Sequence, residues 1–365
     1  MKGGSPIRSA IIGVVTGVAL TWLFVAWARA WRLEQPSLPL FLVVILAVMF
    51  PAVLAHETGH LLGAWLAGLR ILYFAVGPVS MARERGGWRF GWSRVLRSGG
   101  AVIASDPSGG RNIRWRLLGM VATGPLASLA LPVVCFAVVR LVLDRSSPFV
   151  MPGLWLGLLS LAFGVVAIVP MQSGRFFNDG ARIVMLLSGG PEAERWCAYA
   201  VLFGASTEGR RPRDWDPALV RKLTVPRDGS FDDVGASLLA YYAALDAGRV
   251  EEAGALLDHA LAHHAAWPPA FRSTLFLEAA YFEARHRAHP AIARACLRQV
   301  RGPVMAERHT VHRAEAAVLL AEGKLAEAHS AAGEGLATCP SSSHLGLAQA
   351  EAEWLRGLKA GGGFG

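Results

Sequence analysis

The hydrophobic pattern divides the chain into two unlike parts. Residues 1–205 hold long apolar runs, whereas residues 206–365 alternate alanine-rich and charged positions at helical spacing. Crossing a hydrocarbon core as a helix takes about 20 apolar residues. Four stretches reach that length, roughly 10–28, 38–69, 117–143 and 149–169. Between the second and third, residues 71–81 and 88–104 mix aromatic, β-branched and glycine residues around a Gly86-Gly87 turn. That mixture predicts one or two short hairpins near the membrane surface. A linker rich in Arg, Pro and Asp covers 206–230. Beyond it a turn recurs: Ala247-Gly248-Arg249-Val250-Glu251-Glu252-Ala253 returns as Glu322-Gly323-Lys324-Leu325-Ala326-Glu327-Ala328, with a degenerate copy at His289-Pro290-Ala291-Ile292-Ala293. The spacing is close to the ~34 residues of tetratricopeptide repeats with short insertions. The predicted architecture is an α-helical polytopic membrane protein with about four transmembrane helices and a small membrane-associated β-hairpin region, followed by a soluble α-solenoid-like domain. Its expected limits are 1–205 for the membrane part, with a β-rich loop at about 70–116, 206–230 for the linker, 231–360 for the repeats and 361–365 for a flexible tail.

Composition agrees with that division. The 365 residues are 53% hydrophobic, and the mean hydropathy of +0.38 is too high for an ordinary soluble protein. The net charge of +9 invites a nucleic-acid reading. The arginines, however, are spread over loops with no recognition motif beside them, as membrane-flanking charge is. The 70–116 loop carries Arg70, Arg83, Arg85, Arg89, Arg94, Arg97, Arg111, Arg114 and Arg116 against Glu84 and Asp106. The loop between the third and fourth apolar segments has Arg145 beside Asp144. This bias places both termini and the 70–116 loop in the cytoplasm, with Arg29 and Arg32 as a minor contrary signal. The first segment has basic residues before it and a signal-like Ala28-Arg29-Ala30 after it, but its length and its tryptophans favour a retained helix. Cys135, Cys197, Cys296 and Cys339 are scattered and form neither a disulfide framework nor a thiolate cluster.

The candidate chemistry lies inside the second apolar run. There His56-Glu57-Thr58-Gly59-His60 interrupts residues 38–69, and Glu57 is the only acid of that run. Histidines four apart stack on one helix face, so both imidazoles reach one metal ion, with Glu57 placed to take a proton from water. A charged group near a bilayer centre costs roughly 2.5–3.5 kcal/mol, and a metal is the simplest compensation. Of eleven histidines only these two precede His259. His259, His263 and His264 have the spacing of a metal pair but read as a solvated face. A catalytic zinc site needs a third protein ligand. No further histidine exists in the membrane half, so the candidates are Glu34, Glu84, Asp106, Asp144, Asp179, Glu192 and Glu194. The predicted orientation puts Glu34 and Asp144 on the far side. Asp179-Gly180 follows the fourth apolar segment after a polar bend that begins at Pro170.

Together these motifs resemble the site-2 protease family of intramembrane zinc metalloproteases (M50-type). The family pairs HExxH in one transmembrane helix with an aspartate-glycine motif after a proline-containing stretch, here Pro170 through Asp179-Gly180. Gly124-Pro125-Leu126-Ala127-Ser128, Gly77-Pro78 and Gly99-Gly100-Ala101-Val102 match lesser features. Ala167 and Ser128 stand where the family commonly has asparagines. The resemblance covers roughly residues 38–187. It implies one catalytic zinc ion held by His56, His60 and Asp179, Glu57 as the base, and hydrolysis of peptide bonds in or beside a substrate's transmembrane helix. Asn178, Gly180, Gly99 and Gly100 are candidate substrate or positioning residues. The partners expected are a membrane-protein substrate, membrane lipid and a cytoplasmic protein at residues 231–360, with no nucleic acid. The location expected is the bacterial inner or plasma membrane. Two other readings stay open: a zinc protease of another family with Glu192 or Glu194 as third ligand and soluble or misfolded substrates, and a non-catalytic scaffold acting through its repeats.

Overall fold

The computed structural model describes residues 37–361 apart from 85–86, 93–98, 145, 174–175 and 301–305, together with a few positions between 15 and 26. Most of the expected first membrane segment and the last residues of the expected tail lie outside the described residues. The chain forms two compact units: residues 1–82, 90–104 and 112–189, and residues 83–89, 105–111 and 190–365. The division at Gly189 and Gly190 falls earlier than the expected end of the membrane part at 205.

The first unit is built on α1 (Leu38–Leu66), α2 (Ile113–Leu141) and α3 (Val150–Ile168). Among the described residues these are the three helices long and apolar enough to cross a membrane, over Leu42–Leu66, Ile113–Leu141 and Val150–Ile168. Most of their surface faces outward. Leu42, Val43, Leu46, Trp65, Val133, Val134 and Val166 are exposed, a pattern that suits hydrocarbon as the surrounding solvent. Apolar burial cannot drive helices together in lipid, so close backbone approach must. Gly59 and Gly63 supply it on α1. A Cβ at Gly59 would stand 2.7 Å from the Ala127 Cβ and 3.0 Å from the Gly124 Cα, and one at Gly63 would lie 2.9 Å from the Gly119 carbonyl oxygen. Glycines four apart thus meet the small face Gly119, Thr123 and Ala127 of α2.

Between α1 and α2 run β1 (Arg70–Val76), β2 (Val79–Glu84), β3 (Gly87–Trp92) and β4 (Gly100–Ser105). They form one sheet in the order β3-β2-β1-β4. The β1–β2 hairpin is antiparallel with Val76 opposite Val79, and its turn is Gly77-Pro78, where Gly77 takes a positive φ of 54°. Gly87, in the pair read from the sequence as a turn, is the first residue of β3 at a positive φ of 126°. After α3, the two-residue strands β5 (Gln172–Ser173) and β6 (Phe176–Phe177) lead to the short helix α4 (Asp179–Ser188).

The second unit is helical. Its elements are α5 (Pro191–Thr207), α6 (Pro217–Leu223), α7 (Phe231–Asp246), α8 (Val250–Ala262), α9 (Pro269–Arg285), α10 (Pro290–Gln299), α11 (Arg308–Ala321), α12 (Leu325–Thr338) and α13 (Leu345–Lys359). Three-residue turns join α7 to α8 and α11 to α12, which makes each pair an antiparallel hairpin. Each turn has a glycine at positive φ, Gly248 at 73° and Gly323 at 78°. At the degenerate middle copy, between α9 and α10, Ala288 takes that place at φ 54°. Residues 206–230 are more ordered than a linker, since they hold α6 and bury Trp215 and Leu223 in the core of this unit.

Candidate metal centre

His56 and His60 lie one turn apart on α1, their rings edge to face with centroids 4.8 Å apart. Their outer nitrogens are fixed from α2. The His60 Nδ1 faces the Met120 carbonyl oxygen at 2.9 Å. A carbonyl only accepts, so this nitrogen carries the proton and, in the neutral ring, Nε2 keeps its lone pair. The His56 Nδ1 stands 2.9 Å from the Ser128 hydroxyl. Ser128 is itself fully buried, and the Ser160 hydroxyl donates to its carbonyl at 2.9 Å. Space for the His60 ring comes from Gly124, where any Cβ would overlap the imidazole. Both rings therefore turn Nε2 toward one point, in the way supporting hydrogen bonds orient metal-binding imidazoles.

Asp179 completes the group from α4. Its Oδ2 lies 3.1 Å from the His56 Nε2 and 3.5 Å from the His60 Nε2, and the two Nε2 atoms are 3.1 Å apart. These three residues form a cluster that could hold a metal ion. Tetrahedral coordination at 2.0–2.1 Å places ligand atoms about 3.3 Å from one another, so the triangle has the size the ion requires. The donor set fits as well. His60 presents its Nε2 lone pair and Asp179 a carboxylate oxygen, and the His56 Nε2 joins them as an acceptor when its Nδ1 donates to the Ser128 hydroxyl, so a cation at the common point would meet three donor atoms.

Glu57 is 8% exposed on the same helix. Its side chain lies on Gly100 at the start of β4, where a Cβ would overlap the carboxyl group. Gly100 is thus at the site. Gly99 meets the sheet instead, its carbonyl accepting from the Gly77 amide at 2.7 Å. Gly180 allows close approach of α4 to the end of α3, for a Cβ there would stand 2.9 Å from the Val169 carbonyl carbon.

Asn178 repairs the break that Pro170 makes in α3. Proline has no N–H for the Val166 carbonyl, and the Met171 amide is diverted from the Ala167 carbonyl to the Asn178 Oδ1 at 2.9 Å. The Asn178 Nδ2 donates to the carbonyls of Val166, Ala167 and Val169 at 3.0, 3.2 and 2.8 Å. Its Oδ1 also caps α4 by accepting from the Ala181 amide at 3.0 Å. With its amide so engaged, Asn178 sets the backbone that presents Asp179.

Of the other acids considered for the third ligand, Glu34 lies outside the described residues, and two have partners of their own. Asp106 accepts from Ser108 and the Gly110 amide within its own loop, and Glu194 pairs with Lys222 at 3.3 Å. The sequence did not single out Gly59 and Gly63, although their four-residue spacing inside an apolar run is a readable helix-packing signal. The Met120 carbonyl had no side-chain signal to read.

No curated protein and no solved structure is significantly similar to the chain. Residues 43–144, a span that ends before Asp179, match the model of peptidase family M50, the site-2 protease family to which the motifs point, a family of membrane metalloproteases.

Proposed function

We propose that the protein is an intramembrane zinc metalloendopeptidase that hydrolyses peptide bonds in or near transmembrane segments of other membrane proteins. The observation that carries the reading is the convergence of ligand atoms of His56, His60 and Asp179 within an apolar helical unit, with Glu57 beside them. Zinc in such a site acidifies water toward pH 7 and polarises a carbonyl. His56, His60 and Asp179 would hold the ion. The Glu57 carboxylate takes the proton of the attacking water and hands it to the departing amide nitrogen. The α1–α2 packing keeps bulk water from the base, since Glu57 and His60 are both buried.

A helical substrate hides its scissile amide in internal hydrogen bonds and must unwind locally. β4 is an edge strand of the four-stranded sheet, and its first residue touches Glu57. An unwound segment added to that edge by main-chain pairing passes the base. The helical hairpins of the second unit suit a docking module for a regulator or substrate. The arginine bias of the 70–116 loop supports a cytoplasmic location for that unit, at a bacterial plasma membrane.

The test is cleavage of a single-pass transmembrane test substrate by the full chain in detergent or liposomes. Glu57→Gln is expected to lower the rate by at least about 100-fold, the usual scale for losing a general base. Cleavage that survives Glu57→Gln would overturn the proposal.

A further inference from the structure

The first turn of α2 carries Arg114 and Arg116 and no acid. Cations there oppose the helix dipole, which favours negative charge at an N-terminus. Their partners explain the placement. The Arg116 Nε donates to the Ala67 carbonyl at 2.6 Å and its Nη2 to the Gly68 carbonyl at 2.5 Å, at the C-terminal end of α1. The Arg114 Nε donates to the Leu186 carbonyl and its Nη2 to the Leu187 carbonyl at 2.7 Å, at the C-terminal end of α4. Gly189, at φ 74°, leaves room for the Arg114 guanidinium, which a Cβ there would approach to 3.0 Å. Each arginine thus straps the negative end of a ligand-bearing helix, α1 for His56 and His60, α4 for Asp179.

We propose that Arg114 and Arg116 are positioning residues, which use α2 as a common strut to set the separation of the histidine pair from the aspartate. This rests on the metal-site reading above. The same helix supplies the Met120 carbonyl and Ser128 that aim the imidazoles. α2 therefore fixes the histidines in its middle and both ligand helices at its N-terminus. α4 has ten residues, about 15 Å at 1.5 Å per residue. Asn178 holds its first turn and Arg114 its last, so Asp179 sits on a lever pinned at both ends. A guanidinium forks over two carbonyls, whereas an ammonium supplies the same charge without the fork. The two properties can therefore be separated by substitution.

The experiment measures zinc affinity of the full chain in detergent by competition with a chromophoric chelator. Wild type is compared with Arg114→Leu, Arg114→Lys, His56→Ala and, as a control, Arg140→Leu at the opposite end of α2. Arg114→Leu should weaken zinc binding by about tenfold or more, the scale of losing a supporting contact. Arg114→Lys should fall between it and wild type, and Arg140→Leu should stay within about twofold of wild type. If Arg114→Leu does not fold, the Lys variant decides, with affinity equal to wild type counting against the proposal. Arg114→Leu at wild-type affinity, or Arg140→Leu as weak as Arg114→Leu, would overturn it. Absence of any His56-dependent zinc in wild type would remove the metal-site reading itself, a different result from wild-type binding that ignores Arg114.

Discussion

The two units bury ionisable groups in opposite ways. In the second unit Arg313 is fully buried and meets its complement. Its Nη2 donates to both oxygens of Glu278 at 2.6 and 2.7 Å, and its Nε lies 2.8 Å from Glu351. The guanidinium also stacks over Tyr281 at 4.0 Å and Trp354 at 4.9 Å, while Tyr241 and Tyr242 donate to Glu278. Burial alone would raise the Glu351 carboxyl, but Arg313 and His309 hold it below the usual carboxylate range. In the first unit ring nitrogens of His56 and His60 and a carboxylate oxygen of Asp179 converge beside buried Glu57. One group of buried charges is paired internally and joins helices; the other could hold a metal ion. The difference separates a structural network from a site.

That contrast can be broken at either end. Arg313→Leu leaves Glu278 and Glu351 buried without their counter-charge and should destabilise the second unit by about 3–5 kcal/mol. Thermal unfolding of the full chain should show it, with zinc content unchanged. Replacing Arg313, Glu278 and Glu351 together by apolar residues of matched volume should recover most of the loss, because a self-compensated network adds little net stability over good packing. Ser128→Ala acts on the other unit. It removes the hydroxyl that orients His56 and should weaken zinc binding about 10–100-fold by chelator competition, with little change in unfolding temperature. The smallest effect is expected at Ala288. An L-residue in the left-handed region costs about 1–2 kcal/mol, and glycine returns part of this as unfolded-state entropy. Ala288→Gly should therefore stabilise the second unit by about 1 kcal/mol.

Much of the site was legible because its signals are sequence-local. His56, Glu57 and His60 occupy one helical turn, and their polarity stands out in an apolar run. Asp179 was not local: spacing left several acids open, and only the resemblance selected it before the geometry placed it 3.1 Å from His56. The sheet was read as one or two hairpins near the right positions, and a further turn at Gly77-Pro78 splits the first stretch into β1 and β2. Glycine permits the positive φ that this turn requires. The turns at Gly248 and Gly323 were legible as a repeat; the buried Arg313 network was not, since its partners come from α9 and α13, far apart in sequence. Asn178 read equally well as a turn residue or a positioning residue. Its side chain caps α4 and bonds the carbonyls near Pro170, a structural role that spacing alone did not reveal.

The most direct test of the central claim is the metal content of the purified full chain by elemental analysis, wild type against Asp179→Ala. The account predicts about one zinc ion per wild-type chain, the number one tetrahedral site holds, and little or none in Asp179→Ala. A wild-type chain without zinc, or one whose zinc persists in Asp179→Ala, would contradict it.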